Sequence, residues 1–407
     1  MNSRSVLISG AGIAGPTLAF WLKKAGFEPT VVEQAPVLRK GGYVIDFWGL
    51  GYDIAERMDL SGEINRLGYH MSEMRIVDSQ GQRITGFGIR VFRELTGGRF
   101  VTLGRADLSR LLFEKIKDTT EVIFGDEIVE LQEEADGVWI QFKHAPQRKF
   151  DFVVGADGLH SKVRGLVFGQ QARFEKELGY LVAGFEARGY RPRDEKVYVV
   201  YSQPGRMVAR FALHDDRTLF LFVFADTERF PPIHDLRAQK AILRERFNDV
   251  TWECPRILRE LDRTHELYFD RVSQVRMDRW SRGRVALVGD AAFCVSLMAG
   301  QGAALAMTAA YVLAGELAKA KGDHEEAFGK YEEVLRNFIG SKQRGAERFA
   351  LAFAPKTQWG LFFRNQVIRM LTIPGLPRLT FARDITDTLV LPDYRWPALG
   401  SIDRPTP

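Results

Sequence analysis

Residues 5–33 read SVLISGAGIAGPTLAFWLKKAGFEPTVVE and carry the clearest structural pattern in the chain. The apolar run 5–9 predicts a short buried strand, and 10–15 predicts a glycine turn. Residues 16–26 predict a helix that ends near Gly26, and PTVVE predicts a second strand. Strand, glycine turn, helix and strand in this order form the βαβ unit that opens dinucleotide-binding domains.

The glycine turn carries the pattern GxGxxG. Gly10 permits the turn, Gly12 lets the backbone approach a pyrophosphate, and Gly15 allows close packing of the helix. Ala14 lies in the same turn, beside a helix N-terminus whose free N–H groups can bind phosphate. Glu33 ends the second strand, where it would accept hydrogen bonds from ribose hydroxyls. The unit favours a dinucleotide-binding site rather than a glycine-rich turn that binds no ligand. It does not show whether the dinucleotide is NAD or FAD.

Two later segments bear on that choice: GADGLHSKVR at 155–164 and RVALVGDAA at 284–292. Together with GxGxxG, they resemble the DG and GD motifs of the flavin-dependent aromatic hydroxylases, the group A FAD monooxygenases. The segments RKGGYVID (39–46), WSRGRVALVGDAA (280–292) and AYVLAGEL (310–317) are similar to the branch of tetracycline-inactivating monooxygenases. The resemblance covers roughly the first 350 residues.

The resemblance implies an α/β fold, in which a Rossmann-like FAD-binding domain is interrupted by an antiparallel β-sheet substrate domain and followed by C-terminal helices. We predict the first part of the FAD-binding domain at 1–172, with about 70–100 a candidate contribution to the substrate domain. The substrate domain is predicted at 173–272, the second FAD-binding part at 273–330, and C-terminal helices and tail at 331–407.

The residues themselves also indicate a second, β-rich domain. VYVVYS, MVARFAL and TLFLFVFA are β-prone segments separated by turn formers. In the third, Phe220, Phe222 and Phe224 project one way and the intervening aliphatic residues the other, so we expect both faces of the sheet to be covered. Further on, the pattern predicts helices over about 303–320 and 324–353.

Several side chains acquire a cofactor role from the resemblance. Asp290 would hydrogen-bond the ribityl or pyrophosphate part of FAD, Arg105 would touch the same cofactor, and Arg39 and Asp46 match a basic and an acidic position near the flavin. Asp157 matches a position whose role in the family spans two contacts, one to the flavin pyrophosphate and one to the nicotinamide cofactor. Local alternatives stay open: Arg105 starts a helix, Asp46 caps a turn and Asp157 holds a turn.

A second backbone element of the predicted site precedes the Ala-rich helix. Its N–H groups and positive dipole end would face reduced flavin at N1 and O2. These residues are Gly300, Gln301, Gly302 and Ala303. The usual family pattern is GDAAHxxxPxxGQGxN, and this chain departs from it at Phe293, Leu297 and Ala304.

The implied reaction is hydroxylation of an aromatic or polyketide-like, tetracycline-like substrate. NADPH or NADH would reduce FAD, and O2 would form a flavin C4a-hydroperoxide that must be kept dry in an apolar pocket. We predict pocket-lining positions on the inserted sheet and the flavin loop, with core packing as the alternative for each. They are Met207, Phe211, Phe222, Phe224 and Leu297. The sequence assigns no catalytic side chain.

Two other functions remain open because the motifs describe FAD binding rather than oxygenation. One is an FAD-dependent reductase or dehydrogenase without oxygen insertion, and the other is a non-catalytic FAD- or ligand-binding protein. A disulfide reductase would add a second fingerprint and a redox cysteine pair, and a flavin halogenase would carry Trp-x-Trp. The sequence contains neither set.

Length and composition limit the domain number, the location and the cysteine chemistry that we expect. At 407 residues and 45% hydrophobic, the chain suits two interlocked domains. It contains neither a leader-type segment nor an apolar run of bilayer length, which favours a cytoplasmic protein. Cys254 and Cys294 are far apart, so we expect buried thiols and no metal site. We expect a monomer or weak dimer.

The net charge of +5 resides in the C-terminal segment. Residues 337–407 hold ten Lys/Arg and five Asp/Glu, a difference that equals the excess of the whole chain. The basic residues are not interleaved with aromatic platforms, so nucleic acid is not expected. A solvated basic face is the favoured interpretation, and contact with anionic lipid or an acidic partner is the less favoured one.

Overall fold

The chain opens with the predicted strand, helix and strand in a computed structural model that describes residues 4–38, 43–226, 235–370, 387–394 and 396. The first helix begins at Ala14, two residues before the predicted start. The strands in the described part of the chain are β1 (Ser5–Ser9), β2 (Glu28–Glu33), β3 (Val44–Trp48), β4 (Glu73–Val77), β5 (Arg83–Gly88), β6 (Phe100–Gly104), β7 (Glu121–Phe124), β8 (Ile128–Glu134), β9 (Gly137–Phe142), β10 (Arg148–Phe150), β11 (Phe152–Gly155), β12 (Glu175–Arg188), β13 (Val197–Gln203), β14 (Arg206–Ala212), β15 (Arg217–Ala225), β16 (Tyr268–Val275), β17 (Ser281–Arg282) and β18 (Val285–Leu287).

Helices pack against each of the four sheets. In the same part of the chain they are α1 (Ala14–Lys24), α2 (Leu50–Arg57), α3 (Ser61–Leu67), α4 (Arg90–Leu95), α5 (Arg105–Glu114), α6 (Lys162–Phe168), α7 (Leu236–Phe247), α8 (Cys254–Arg263), α9 (Asp290–Phe293), α10 (Gly302–Lys319), α11 (His324–Phe353) and α12 (Gln358–Met370). The two long helices predicted from the sequence correspond to α10 and α11, which confirms both. None of the described helices is long and apolar enough to cross a membrane.

A six-stranded sheet in the order β17-β18-β11-β1-β2-β7 forms the Rossmann-like part. Its pairs are parallel except for β17–β18. The central strands β1 and β11 carry apolar residues on both faces and are almost wholly buried. This is typical of parallel strands that are covered on both sides. Helices α1 and α10 pack together over this sheet.

A seven-stranded sheet in the order β16-β12-β15-β14-β13-β4-β5 forms the β-rich part. All of its pairs are antiparallel except β13–β4. Both faces of β15 are covered as predicted. Phe220, Phe222 and Phe224 pack toward Phe247 of α7, and Val223 lies in the cluster on the opposite face. The α/β fold class is thereby confirmed, whereas the predicted domain boundaries stay a prediction.

Candidate functional site

A cavity of about 990 Å³ opens at the carboxyl ends of β1 and β2. Ser9 and Glu33 mark those strand ends, and the opposite part of the lining comes from the start of α10. Ligands of open α/β sheets bind at this edge, because the strands end there and helix N-termini converge on it. The cavity therefore lies where the sequence places a dinucleotide.

Most of the predicted cofactor residues line this cavity. They are Gly10, Gly12, Ala14, Glu33, Arg105, Asp157, Asp290, Gly300, Gly302 and Ala303. Gly15, Asp46 and Gln301 neighbour lining residues in the chain but do not line the cavity themselves. Arg39 lies outside the described residues. Of the predicted substrate-pocket positions, Leu297 alone lines this cavity.

The fingerprint glycines leave open the space that a phosphate needs. Gly10 has φ +108°, and a Cβ there would lie 2.6 Å from the carbonyl oxygen of Ala156. A Cβ on Gly15 would lie 1.9 Å from the carbonyl oxygen of Gly10, so α1 packs directly on the turn. A Cβ on Gly12 would instead meet nothing closer than Arg105 Nη2 at 3.8 Å. The Gly12 backbone is thus open to a ligand.

Glu33 is fixed at the end of the cavity by the turn itself. Its Oε2 accepts a hydrogen bond from the Ala11 N–H at 2.8 Å, and its Oε1 accepts one from the Ala35 N–H at 2.9 Å. Each carboxylate oxygen keeps a further lone pair. The carboxylate is therefore oriented to accept ribose hydroxyls as well.

Arg105 and two tyrosines, Tyr43 and Tyr268, also line the cavity. The Arg105 N–H donates to the Tyr43 carbonyl at 3.0 Å, and its guanidinium lies 6.0 Å from the centre of the Tyr43 ring. The rings of Tyr43 and Tyr268 are 5.0 Å apart. Burial raises the pKa of Tyr43 to about 12, so its phenol stays protonated. Sequence reasoning missed both tyrosines: Tyr43 lies in the segment GGYVID, and Tyr268 carries no motif.

Asp290 begins α9 and faces the cavity. Burial raises the pKa of its carboxyl group, and the positive charge of Arg105 opposes that rise. The Cys294 thiol lies beside this carboxyl group, and burial holds the pKa of Cys294 well above its usual range. Both cysteines are free and buried, as predicted. Cys294 also lines the cavity, which its position beside the GD motif would have suggested.

Asp157 lines the cavity but directs its carboxylate into its own loop. Oδ1 accepts from the Ser161 hydroxyl at 2.5 Å, and Oδ2 accepts from the N–H groups of Lys162 and Val163. The fully buried Arg164 donates to the Ala291 carbonyl at 2.9 Å. The DG segment therefore holds its own turn and fastens it to the GD segment.

Asp46 points into the interior between the two domains. Its Oδ1 accepts hydrogen bonds from the Thr102 hydroxyl at 2.5 Å and from the Tyr198 hydroxyl at 2.8 Å. Burial raises the pKa of Asp46, and the two hydroxyl groups oppose that rise. Because Tyr198 belongs to β13 and Asp46 to β3, this contact joins the seven-stranded sheet to the cofactor side of the molecule.

The three departures from the family pattern have separate locations. Phe293 packs against Trp280 with ring centres 4.7 Å apart, so it faces the core. Leu297 lines the cavity. Ala304 lies where α10 crosses α2, and a Cβ on Gly51 would come within 2.6 Å of the Ala304 Cβ. Only Leu297 alters the cavity surface, and the small residue at 304 permits a close helix crossing.

The expected pocket on the inserted sheet needs correction. Phe222 and Phe224 pack against Phe247 with ring centres 4.9 and 5.6 Å apart, on the face toward α7 and α8. Phe211 stacks on Tyr198 at 4.9 Å, and Met207 lies in the cluster that contains Val223. These four side chains therefore pack in the core, which is the alternative given above. The prediction failed because a strand that is apolar on both faces does not show which face the helices cover.

The sequence pattern of the FAD binding domain family matches residues 3–333. The chain belongs to this family. A flavin-dependent monooxygenase of Legionella longbeachae is 32% identical over 83% of this chain and 87% of that protein. An uncharacterized protein of Mycobacterium tuberculosis is 37% identical over 84% and 92%. The crystal structure of tetracycline destructase Tet(55) superposes with a TM-score of 0.83 at 30% identity, covering 96% of this chain and 99% of that one.

The family match and these relatives identify the chain as an FAD-dependent monooxygenase of the aromatic hydroxylase type. The predicted family, fold and cofactor are thereby confirmed. The residues present fit FAD on structural grounds. A Cβ at Gly12 would occupy open space facing the cavity, and the carboxyl group of Asp290 and the guanidinium of Arg105 border the same space.

Proposed function

We propose that the enzyme uses NADH or NADPH and O2 to hydroxylate an aromatic or polyketide-like substrate, with tetracycline-like compounds as the first candidates. The observation that carries the proposal is the continuity of one cavity from Glu33, past Arg105 and Asp290, to Leu297. One ligand can therefore extend from the dinucleotide fingerprint to an apolar and aromatic wall. Relatives named as tetracycline destructases support the substrate class.

Each part of the cavity would hold one part of FAD. Glu33 would bind the adenosine ribose, the Gly12 backbone and the start of α1 the pyrophosphate, and Arg105 with Asp290 the ribityl chain. The start of α10 would place N–H groups and a positive dipole end at the flavin N1 and O2. When bound, FAD would accept hydride from the nicotinamide and activate O2 at its C4a atom.

The wall near the start of α10 would exclude water from the reacting atoms. Leu297, Tyr43 and Tyr268 present apolar and aromatic surface there. The tyrosine pKa values are raised by burial, so neither phenol adds a charge to this wall at neutral pH. A dry wall of this kind protects a reactive oxygen species from solvent and accepts a flat ring system.

The nicotinamide donor would bind transiently at the cavity mouth. The chain has one nucleotide fingerprint, so a second dinucleotide has no Rossmann turn of its own. His160, Lys162 and Arg271 line the cavity, and the side chain of His160 is 59% exposed. They pair with carboxylates in the structure, namely Asp270, Glu127 and Asp226, and their N–H groups would turn to the phosphate groups of the donor. Cytoplasmic location and a monomeric or weakly dimeric state also stay predictions.

The test is product analysis with purified, FAD-loaded enzyme. A panel of phenols and tetracyclines is incubated with NADPH or NADH in air, and products are identified by mass spectrometry. We expect one compound to stimulate oxidation of the reduced nicotinamide and to gain one oxygen atom, which is labelled when ¹⁸O2 is supplied. Turnover under nitrogen with another electron acceptor, without oxygen in any product, would contradict the proposal.

A further inference from the structure

The outer face of α12 exposes five large apolar side chains. Trp359 is 72% exposed and Phe363 is 63% exposed, and the other three are each at least half exposed. We define the α12 outer face as Trp359, Phe362, Phe363, Val367 and Met370. At 100° per residue these positions form one stripe along the helix. Such a contiguous apolar surface marks a contact that the described residues of the chain leave unused.

The opposite side of α12 already packs on the protein. Leu361 is buried, and Ile368 packs against the cluster of the seven-stranded sheet that contains Met207. Arg364 Nη1 donates to the Ser202 hydroxyl at 3.0 Å. These contacts fix the rotation of the helix about its axis. Its three aromatic rings therefore face away from the protein.

The stretch of sequence that contains α12 carries charge of one sign. Residues 348–383 contain six Arg/Lys and no Asp/Glu. Lys356 precedes the helix, and Arg369 near its end donates to the Ile84 carbonyl at 3.3 Å. Ile84 is itself 38% exposed and extends the apolar surface onto β5. An apolar stripe bordered by cations matches the chemistry of an anionic bilayer surface.

We propose that the α12 outer face docks the enzyme on anionic lipid membranes. A 13-residue helix is about 20 Å long, enough to lie in the headgroup region with its rings at the acyl boundary. Trp359 and the phenylalanines supply the apolar contact, and the surrounding cations supply the attraction to lipid phosphates. A second copy of the chain fits this face less well, because an isologous contact would bring two cationic segments together.

Vesicle flotation of the FAD-loaded, full-length protein tests the proposal. We expect the protein to float with vesicles of phosphatidylcholine and phosphatidylglycerol, less with phosphatidylcholine alone, and less as salt rises. Brominated lipids should quench tryptophan fluorescence of the unaltered protein. Trp359→Ser with Phe363→Ser should weaken partitioning by about tenfold or more, because two aromatic side chains lose their apolar contact.

Two controls separate this surface from general stickiness. Val390→Ser with Leu166→Ser removes two exposed apolar side chains elsewhere, 87% and 42% exposed, and should leave partitioning unchanged. Retained FAD absorbance shows that each variant is folded. The proposal is overturned if the unaltered protein does not float with the anionic vesicles, or if the control pair loses as much binding as the α12 pair. A dimer that the α12 pair dissociates, without vesicle binding, would assign the face to self-association instead.

Discussion

Asp46 is a carboxyl group held in the interior by two hydroxyl donors, Thr102 and Tyr198. Because burial raises its pKa, the folded protein binds this proton more tightly than the unfolded chain does. Its contribution to stability therefore falls as pH rises from the ordinary carboxyl pKa through the raised one. The residue is a local source of pH sensitivity where the strand pair β3–β6 meets the seven-stranded sheet.

We predict that Asp46→Asn removes this sensitivity. The amide oxygen can still accept from Thr102 and Tyr198, but it carries no charge. The difference in free energy of unfolding, variant minus wild type, should rise with pH when measured by urea denaturation from about pH 4 to about pH 8. Asp136→Asn is the control with the opposite sign, since Lys149 lowers the pKa of Asp136. A pH-independent difference for Asp46→Asn would contradict the assignment.

Among the secondary-structure elements, α10 crosses α2 at a close contact beside the cavity. Ala304 meets Gly51 there, and a Cβ on Gly51 would lie 2.4 Å from the Ala304 Cα. Residues just before Ala304 in α10 line the cavity. The family pattern has asparagine at this position, so the sequence departure and the tight crossing belong together.

We predict that Ala304→Asn, which restores the family residue, destabilises this chain by about 1–3 kcal/mol through overpacking. The free energy of unfolding is measured by urea denaturation of the FAD-loaded protein. Ala318→Asn, at a partly exposed position of the same helix, should cost only the helix-propensity difference of about 0.5–0.7 kcal/mol. Equal losses in both variants would show that α2 can move aside.

At the scale of the whole molecule, the cavity joins the fingerprint of the six-stranded sheet to the start of α10. Its lining includes Glu33 at one end and Ala303 at the other, and β12 and β16 of the second sheet contribute Phe185 and Tyr268. A ligand that spans this lining couples both sheets. Stability of the folded chain should therefore depend on a complete dinucleotide.

We predict that excess FAD stabilises the cofactor-free protein far more than FMN does, since FMN lacks the adenosine that Glu33 would bind. At a concentration 100 times Kd, FAD should add about 2.7 kcal/mol, detected as a rise in Tm. Gly12→Val should fold and lose this rise, because its side chain fits the chain but fills the cavity. Gly165→Ala, where a Cβ meets nothing within 4 Å, should keep it. Equal stabilisation by FMN would move the site away from Glu33.

The cofactor-binding half of this protein follows from local sequence patterns. The turn at Gly10, the burial of β1 and β11, and the helix His324–Phe353 all follow from residues close together in the chain. A backbone that must approach phosphate needs glycine at defined spacing, and that spacing is visible in the sequence. The family motifs extended this reasoning to Asp290 and Arg105, which the structure brings to one cavity.

Contacts between residues far apart in the chain could be seen in the folded structure alone. Tyr198 bonds Asp46 across 152 residues, and Tyr43 meets Tyr268 although no motif joins them. Phe222 and Phe224 were predicted in a pocket, but they belong to the core under α7. The period of a strand shows that its residues alternate between two faces, whereas the packing partners decide which face meets the site. That choice depends on contacts distant in sequence, which no local pattern contains.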